Sequence, residues 1–285
     1  MPEATYSKKA LRATITLQTG GSNQYVFEGF AMEATVAKTG GTEFAKANLT
    51  IYGLSVETMA QLTWCTFKPL SRGYNLLQIE AGEQGARLSL IFQGEITSSY
   101  ADLNGASPAL KIEAQTGSYP ILIPEAPIAI QGQQSVEQFV RQEAAAAGYE
   151  IENHGVDAQL KDCVISGDPI TKIRSVADAA GADVLFDDGK VVLVPRDKPR
   201  KAEGGIPVIS AETGMIGYPT FTSQGLQVRS FFRPDLTIGA EVRVESIVPQ
   251  ATGVWKITQL SHELSANNPG RTAWRTNFSG LWLND

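Results

Sequence analysis

Cysteine and histidine are scarce, with two of each in 285 residues. Cys65 and Cys163 stand far apart, whereas a secreted disulfide framework uses more cysteines at closer spacing, so two reduced thiols are expected. His154 and His262 are too dispersed from each other and from the cysteines to suggest a zinc site. A long apolar run is also missing. The first twenty residues have no hydrophobic leader segment, and the most apolar stretch, YPILIPEAPIAI, is broken by Glu125 and by Pro120, Pro124 and Pro127. No membrane span or targeting peptide is expected, and synthesis in a cytoplasm follows. There is no basic excess: 24 Lys+Arg face 30 Asp+Glu, a net charge of −6. Such a balance argues against a surface that wraps nucleic acid, which works by clustering Lys and Arg against phosphates. No nucleophile elbow, P-loop or dinucleotide fingerprint occurs either.

What is present suits a folded, multidomain protein: 42% hydrophobic residues against 19% charged. In the first part, Leu11, Ala13, Ile15 and Leu17 alternate with polar residues, the period of a half-buried strand. Further strands are predicted at Gln24–Phe30, Met32–Lys38, Ala47–Tyr52, Asn75–Glu80, Arg87–Tyr100 and Ala109–Gln115. Turn signals at Gly20-Gly21, Gly40-Gly41, Gly82 and Asn104-Gly105 separate them. A short helix is predicted after Ser55, with Val56, Met59, Ala60 and Leu62 on its apolar face. The middle part changes period. Ser135 and Gln138 read as a capping box opening a helix with Val136, Phe139, Val140, Ala144 and Ala147 on one face. Asp168-Pro169 opens a second helix, and Asp188-Gly189 joins two apolar strands in a hairpin. Arg196–Gly205 reads as a solvated basic linker with nothing to bury. Strand patterning then returns around Val242, Val244, Ile247 and Val248, at Val254–Leu264 and at Thr272–Leu283. The fold class is therefore mainly β with an α+β insert: two small β-barrel-like domains, 1–128 and 201–285, flank a compact α+β domain, 129–200.

Candidate chemistry is thin. His262-Glu263 lacks the second histidine of a zinc-protease helix, because Ala266 stands at that spacing in a strand-like context. His154 lies in a turn-like tetrad. Asp187-Asp188 is the most obvious carboxylate pair, but adjacent residues at a turn point apart, so the turn itself accounts for them. Trp255, Trp274 and Trp282 fall in alternating strands, where packing is favoured over a sugar platform. No catalytic, cofactor-binding or metal-ligating residue is assigned, and an enzyme is not expected.

Loose patterns through the chain resemble one family. Gly217-Tyr-Pro-Thr-Phe, the run from Gly225 to Asp235, Ile238-Gly239-Ala-Glu-Val, Gly253-Val-Trp-Lys-Ile, His262-Glu-Leu and Trp274-Arg-Thr resemble the closing domain of baseplate hub proteins of contractile-tailed bacteriophages. Asn48–Ser55 is similar to the strand-then-helix step of that family's first barrel. The resemblance implies a structural virion protein: a homotrimeric ring that adapts the hexameric tail tube to the trimeric central spike and lets DNA pass. Its partners would be tube, spike and other baseplate proteins, with no specific nucleic acid binding, no membrane and no cofactor. Its site would be the tail baseplate, after assembly in the host cytoplasm. Two other classes stay open: a carbohydrate-binding tail-tip or receptor-recognition module, and a peptidoglycan hydrolase.

Overall fold

In a computed structural model, the structure describes residues 8–17, 23–40, 43–63, 75–105, 107–118, 121, 125–196, 198–201, 204–223 and 225–282. Cys65, the Gly20-Gly21 turn, Gly41, Pro120, Pro124 and Leu283 lie outside the described residues. The chain divides into two compact units. The first holds residues 1–36, 46–115 and 262–274; the second holds 37–45, 116–261 and 275–285.

The first unit is an antiparallel sheet. Strand β1 (Lys9–Leu17) pairs on one side with β2 (Asn23–Glu28) and on the other with β5 (Leu76–Glu83). Beyond β5 follow β6 (Ser89–Asp102), β7 (Ala109–Gln115) and β4 (Lys46–Tyr52). Strand β3 (Ala31–Thr39) begins in this unit. Three of the four alternating residues read from the sequence are buried, Leu11, Ala13 and Ile15, with Leu77, Ile79 and Phe92, while Leu17 at the strand's end is half-buried. Helix α1 (Val56–Leu62) starts at Ser55, whose Oγ accepts the Thr58 N–H at 3.1 Å. Met59 and Leu62 are buried, whereas Val56 in the opening turn is exposed, so this two-turn helix covers the sheet with its later turn.

The second unit contains the helices expected in the middle of the chain. Strand β8 (Ile128–Ser135) runs into α2 (Val136–Ala146), and β9 (Glu150–Asn153) and β10 (Gln159–Ile165) lead to α3 (Pro169–Ala179). Strands β11 (Ala182–Asp187) and β12 (Lys190–Pro195) form the predicted hairpin, and β9 lies parallel to β12. Its turn residues Asp188 and Gly189 have φ of 48° and 81°, the left-handed pair a tight hairpin needs. The second predicted cap forms: Asp168 Oδ1 accepts the Thr171 N–H at 3.0 Å. The capping box does not. Ser135 makes no side-chain cap bond, because it is the last residue of β8, paired with Gln159, and the Val136 N–H goes to the Ala158 carbonyl. A sheet continues to the helix's first residue where a cap was expected.

The rest of this unit is β again. Strand β13 (Val208–Ile209) is parallel to β16 (Glu241–Val244), and β16 is antiparallel to β17 (Gly253–Ala266). Strand β14 (Thr220–Thr222) pairs with β15 (Gly225–Phe231), which pairs with β18 (Trp274–Trp282). The apolar run of the hairpin is explained by its two covered faces. Val184, Phe186, Val191 and Leu193 pack on α2 and α3 with Phe139 and Ile173. Leu185, Val192 and Val194 pack with Leu226, Val228, Val242 and Trp255. The protein is thus mainly β, with three α-helices among the described residues. Closure is where the expectation of barrel-like domains is corrected: among the described residues no sheet closes, and the strand order stops at β2 in the first unit and at β14 in the second. Alternation reports that a strand is half-buried, not whether its outer edge finds a partner.

Candidate interaction surface

Several charged groups of the second unit are paired with one another. Lys38, at the end of β3, is buried and places Nζ 2.7 Å from Asp187 Oδ1 and 2.6 Å from Asp188 Oδ2. Arg200 bonds the other Asp187 oxygen at 2.6 Å and both oxygens of Glu152 at 3.1 Å. Burial opposes the charge on Asp187, yet the Lys38 and Arg200 cations prevail and hold its carboxyl down at about 2. Glu152 is likewise held at about 2, because bonds from Arg200, His154 and Lys190 outweigh its desolvation. Lys38 would be lowered by burial, but the two aspartates hold it above the ordinary lysine range. The carboxylate pair noticed in the sequence is therefore the anchor of an ion cluster, with both side chains tied to lysine or arginine.

The basic linker needs correcting for the same reason. Arg200 is buried rather than solvated, and Arg196 bonds Asp178 at 2.8 Å and Asp183 at 3.4 Å. A run of charge looks the same in sequence whether or not acids await it. Only the neighbouring Glu152 and Asp187, distant in the chain, distinguish the two cases. His154 joins the cluster: its Nδ1 accepts the Lys201 N–H at 3.3 Å, which leaves Nε2–H to donate to Glu152 Oε1 at 2.6 Å. His262 is buried in the part of β17 that belongs to the first unit. Cys163 is a free thiol. Among the described residues, no group of three or more His, Cys, Asp or Glu could hold a metal ion.

Aromatic residues divide between core and surface. Trp255 is buried, and its indole N–H donates to the Ala251 carbonyl at 3.0 Å. Trp282 meets it edge-on at 4.9 Å, lying over Gly253, where a Cβ would collide with its ring. In the first unit, Trp274 has Lys9 Nζ 5.6 Å from its ring centre. Sequence reading missed the exposed set: Tyr218 is 67% exposed, Phe231 64% and Phe221 52%, all on or beside β14 and β15. Exposed aromatics at a sheet edge are a partner-binding signal, since a solitary surface leaves such area in water. Strand β14 is the last of its sheet, and all three of its residues are exposed. In the first unit β2 is the last strand, with Val26 exposed. Beside β14, the second unit also has an open groove of about 640 Å³, lined by side chains of β15, β17 and β18.

Comparison with known proteins places the fold and the family. In solved structures the fold resembles the tail protein from Neisseria meningitidis MC58, with a TM-score of 0.62 at 10% identity over 95% of this chain and 96% of that one. The 43 kDa tail protein of prophage MuSo2 from Shewanella oneidensis is as similar, with a TM-score of 0.61 at 9% identity over 94% of this chain and 98% of that one. A third is the E. coli c3393 protein, a component of the type VI secretion system that is itself structurally similar to T4 bacteriophage tail proteins gp27 and gp5. It gives a TM-score of 0.61 at 10% identity, covering 94% of this chain and 76% of that one. No curated protein matches the sequence significantly. The profile of the family described as Baseplate hub gp41 matches residues 10–270. The family and these fold neighbours are structural tail and baseplate proteins rather than enzymes. The chain, a structural component of the phage tail baseplate, belongs to the baseplate hub gp41 family.

Proposed function

We propose that the protein acts as a homotrimeric ring at the tail hub, adapting the hexameric tail tube to the trimeric central spike, with the genome passing through its centre. The observation that carries this reading is the match of residues 10–270 to a baseplate hub family. The two open sheet edges, β2 in one unit and β14 in the other, support it. A head-to-tail contact that joins unlike surfaces of neighbouring copies closes a ring when the rotation is right, and unpaired edge strands are natural participants. Three copies with two β-rich parts each offer six positions to a hexamer. In this reading the β-rich parts are residues 1–128 and 201–285, and 129–200 is the α+β insert between them. The partners are tube, spike and other baseplate proteins, and assembly takes place in the host cytoplasm.

The charge fits a channel. Three copies carry three times the −6 of one chain, so the ring repels phosphate rather than gripping it. Duplex DNA should not be retained in a gel shift at physiological salt. Tight, salt-sensitive retention would contradict a free passage. Light scattering tests the assembly: the expected mass is about 92 kDa, three times the 30.6 kDa of the chain, alone or with the spike protein added. A chain that stays monomeric in the presence of tube and spike proteins rejects the proposal.

A further inference from the structure

The groove beside β14 has a chemistry of its own. Each of three neighbouring strands lends it two polar side chains: Gln227 and Arg229 from β15, Asn277 and Ser279 from β18, Gln259 and Ser261 from β17. They are linked across the strands. Arg229 Nε donates to Asn277 Oδ1 at 3.2 Å, Asn277 Nδ2 to Ser261 Oγ at 3.4 Å, and Ser279 Oγ to Gln259 Oε1 at 3.4 Å. Among the described residues, two cations line the groove and no Asp or Glu does. One of them, Lys38, is already neutralised by Asp187 and Asp188. The other, Arg229, is exposed and meets no carboxylate among the described residues, so most of its planar donor fork is unused. Thr220 of β14 lines the same groove, and among the described residues no strand pairs with the outer edge of β14.

We propose that this groove seats an acidic, extended segment of another tail protein, with one carboxylate paired to Arg229. The amides and hydroxyls around it take the segment's remaining polar groups, and β14 offers backbone groups to a chain lying along its edge. The inference rests on the docking role proposed above and names the chemistry of one partner. Nucleic acid fits less well, because a single unpaired guanidinium in a chain of net charge −6 cannot neutralise a row of phosphates.

The test uses the full chain and a short fluorescein-labelled peptide of Gly, Ser and Thr with one central Glu, beside its Gln twin. Fluorescence anisotropy measures affinity, and hydrogen–deuterium exchange locates the bound peptide. The Glu peptide should bind about tenfold more tightly than the Gln twin, the worth of a charge-assisted bond. Arg229→Gln should erase that preference, Arg229→Lys should keep part of it, and Arg243→Gln, outside the groove, should leave it intact. Protection should appear in 216–222 and β15. Equal binding of the twins, no binding of either, indifference to Arg229→Gln, or protection elsewhere would overturn the proposal. Light scattering on the same samples separates the two readings. A trimer without Glu-selective binding rejects the groove and leaves the ring standing, and binding that vanishes on trimer formation assigns the groove to a second copy.

Discussion

At the scale of single residues, the ion cluster around Asp187 is where sequence and energetics meet. Removing one partner of a buried pair strands the other charge, which costs far more than the pair contributes. Lys38→Met should therefore destabilise the protein by about 3 kcal/mol in chemical denaturation. In a cycle with Asp187→Asn the two losses should not add, because both remove the same interaction; additive losses would show that the pair is not coupled. The pH dependence follows from the depressed carboxyls. Asp187 and Glu152, each near 2 in the folded chain, start from ordinary values of 3.8 and 4.5. The unfolded chain therefore takes up protons first, so their contribution is complete above pH 4.5 and is lost as pH falls toward 2. Melting temperature should hold level between pH 7 and pH 5 and fall steeply below about 4.5, with a shallower fall in Glu152→Gln. A Glu152→Gln chain with an unchanged acid profile would contradict that assignment. None of this was legible in the sequence beyond the Asp-Gly turn. Lys38 is 149 residues from Asp187, and nothing local marks it, Arg200 13 residues on, or Glu152 as a member of the cluster.

At the scale of elements, local rules decided most of the outcome. The hairpin turn, the α3 cap and the alternation of β1 were readable because each depends on neighbours in sequence. The α2 cap was misread because a distant strand, β10, pairs with Ser135 and the sheet takes over the helix entrance. The two caps thus predict opposite results. Asp168→Ala should lower stability by about 1 kcal/mol, the ordinary worth of a capping oxygen. Ser135→Ala should stay within about 0.5 kcal/mol of the parent. Urea midpoints of the two variants, measured side by side, check the contrast. The β14–β15 turn supplies a further case. Gly225 has a φ of +113°, and a Cβ there would collide with the Gly280 carbonyl on β18, which is backbone and cannot swing aside. Gly225→Ala should cost about 1–3 kcal/mol and loosen β14, seen as faster hydrogen exchange in 220–222. A variant as stable and as protected as the parent would place no strain at that turn.

At the scale of the whole molecule, composition argues against a membrane span and a nucleic acid scaffold, no helix among the described residues is long and apolar enough to cross a membrane, and the Gly, Pro and aromatic patterns point to the hub family. What composition and periodicity left unread was closure of the sheets and exposure of Tyr218, Phe221 and Phe231. An aromatic in a strand looks alike in sequence whether it faces a core or a partner. The edges at β2 and β14, which no other strand covers among the described residues, and those exposed aromatics give the protein surfaces suited to a partner. An obligate ring contact should bury on the order of 2,000 Å² or more, with an apolar centre. The most direct test is electron microscopy of the purified chain, alone and mixed with its spike protein. Class averages should show a three-fold ring with a central opening. Single compact particles under both conditions would contradict the account.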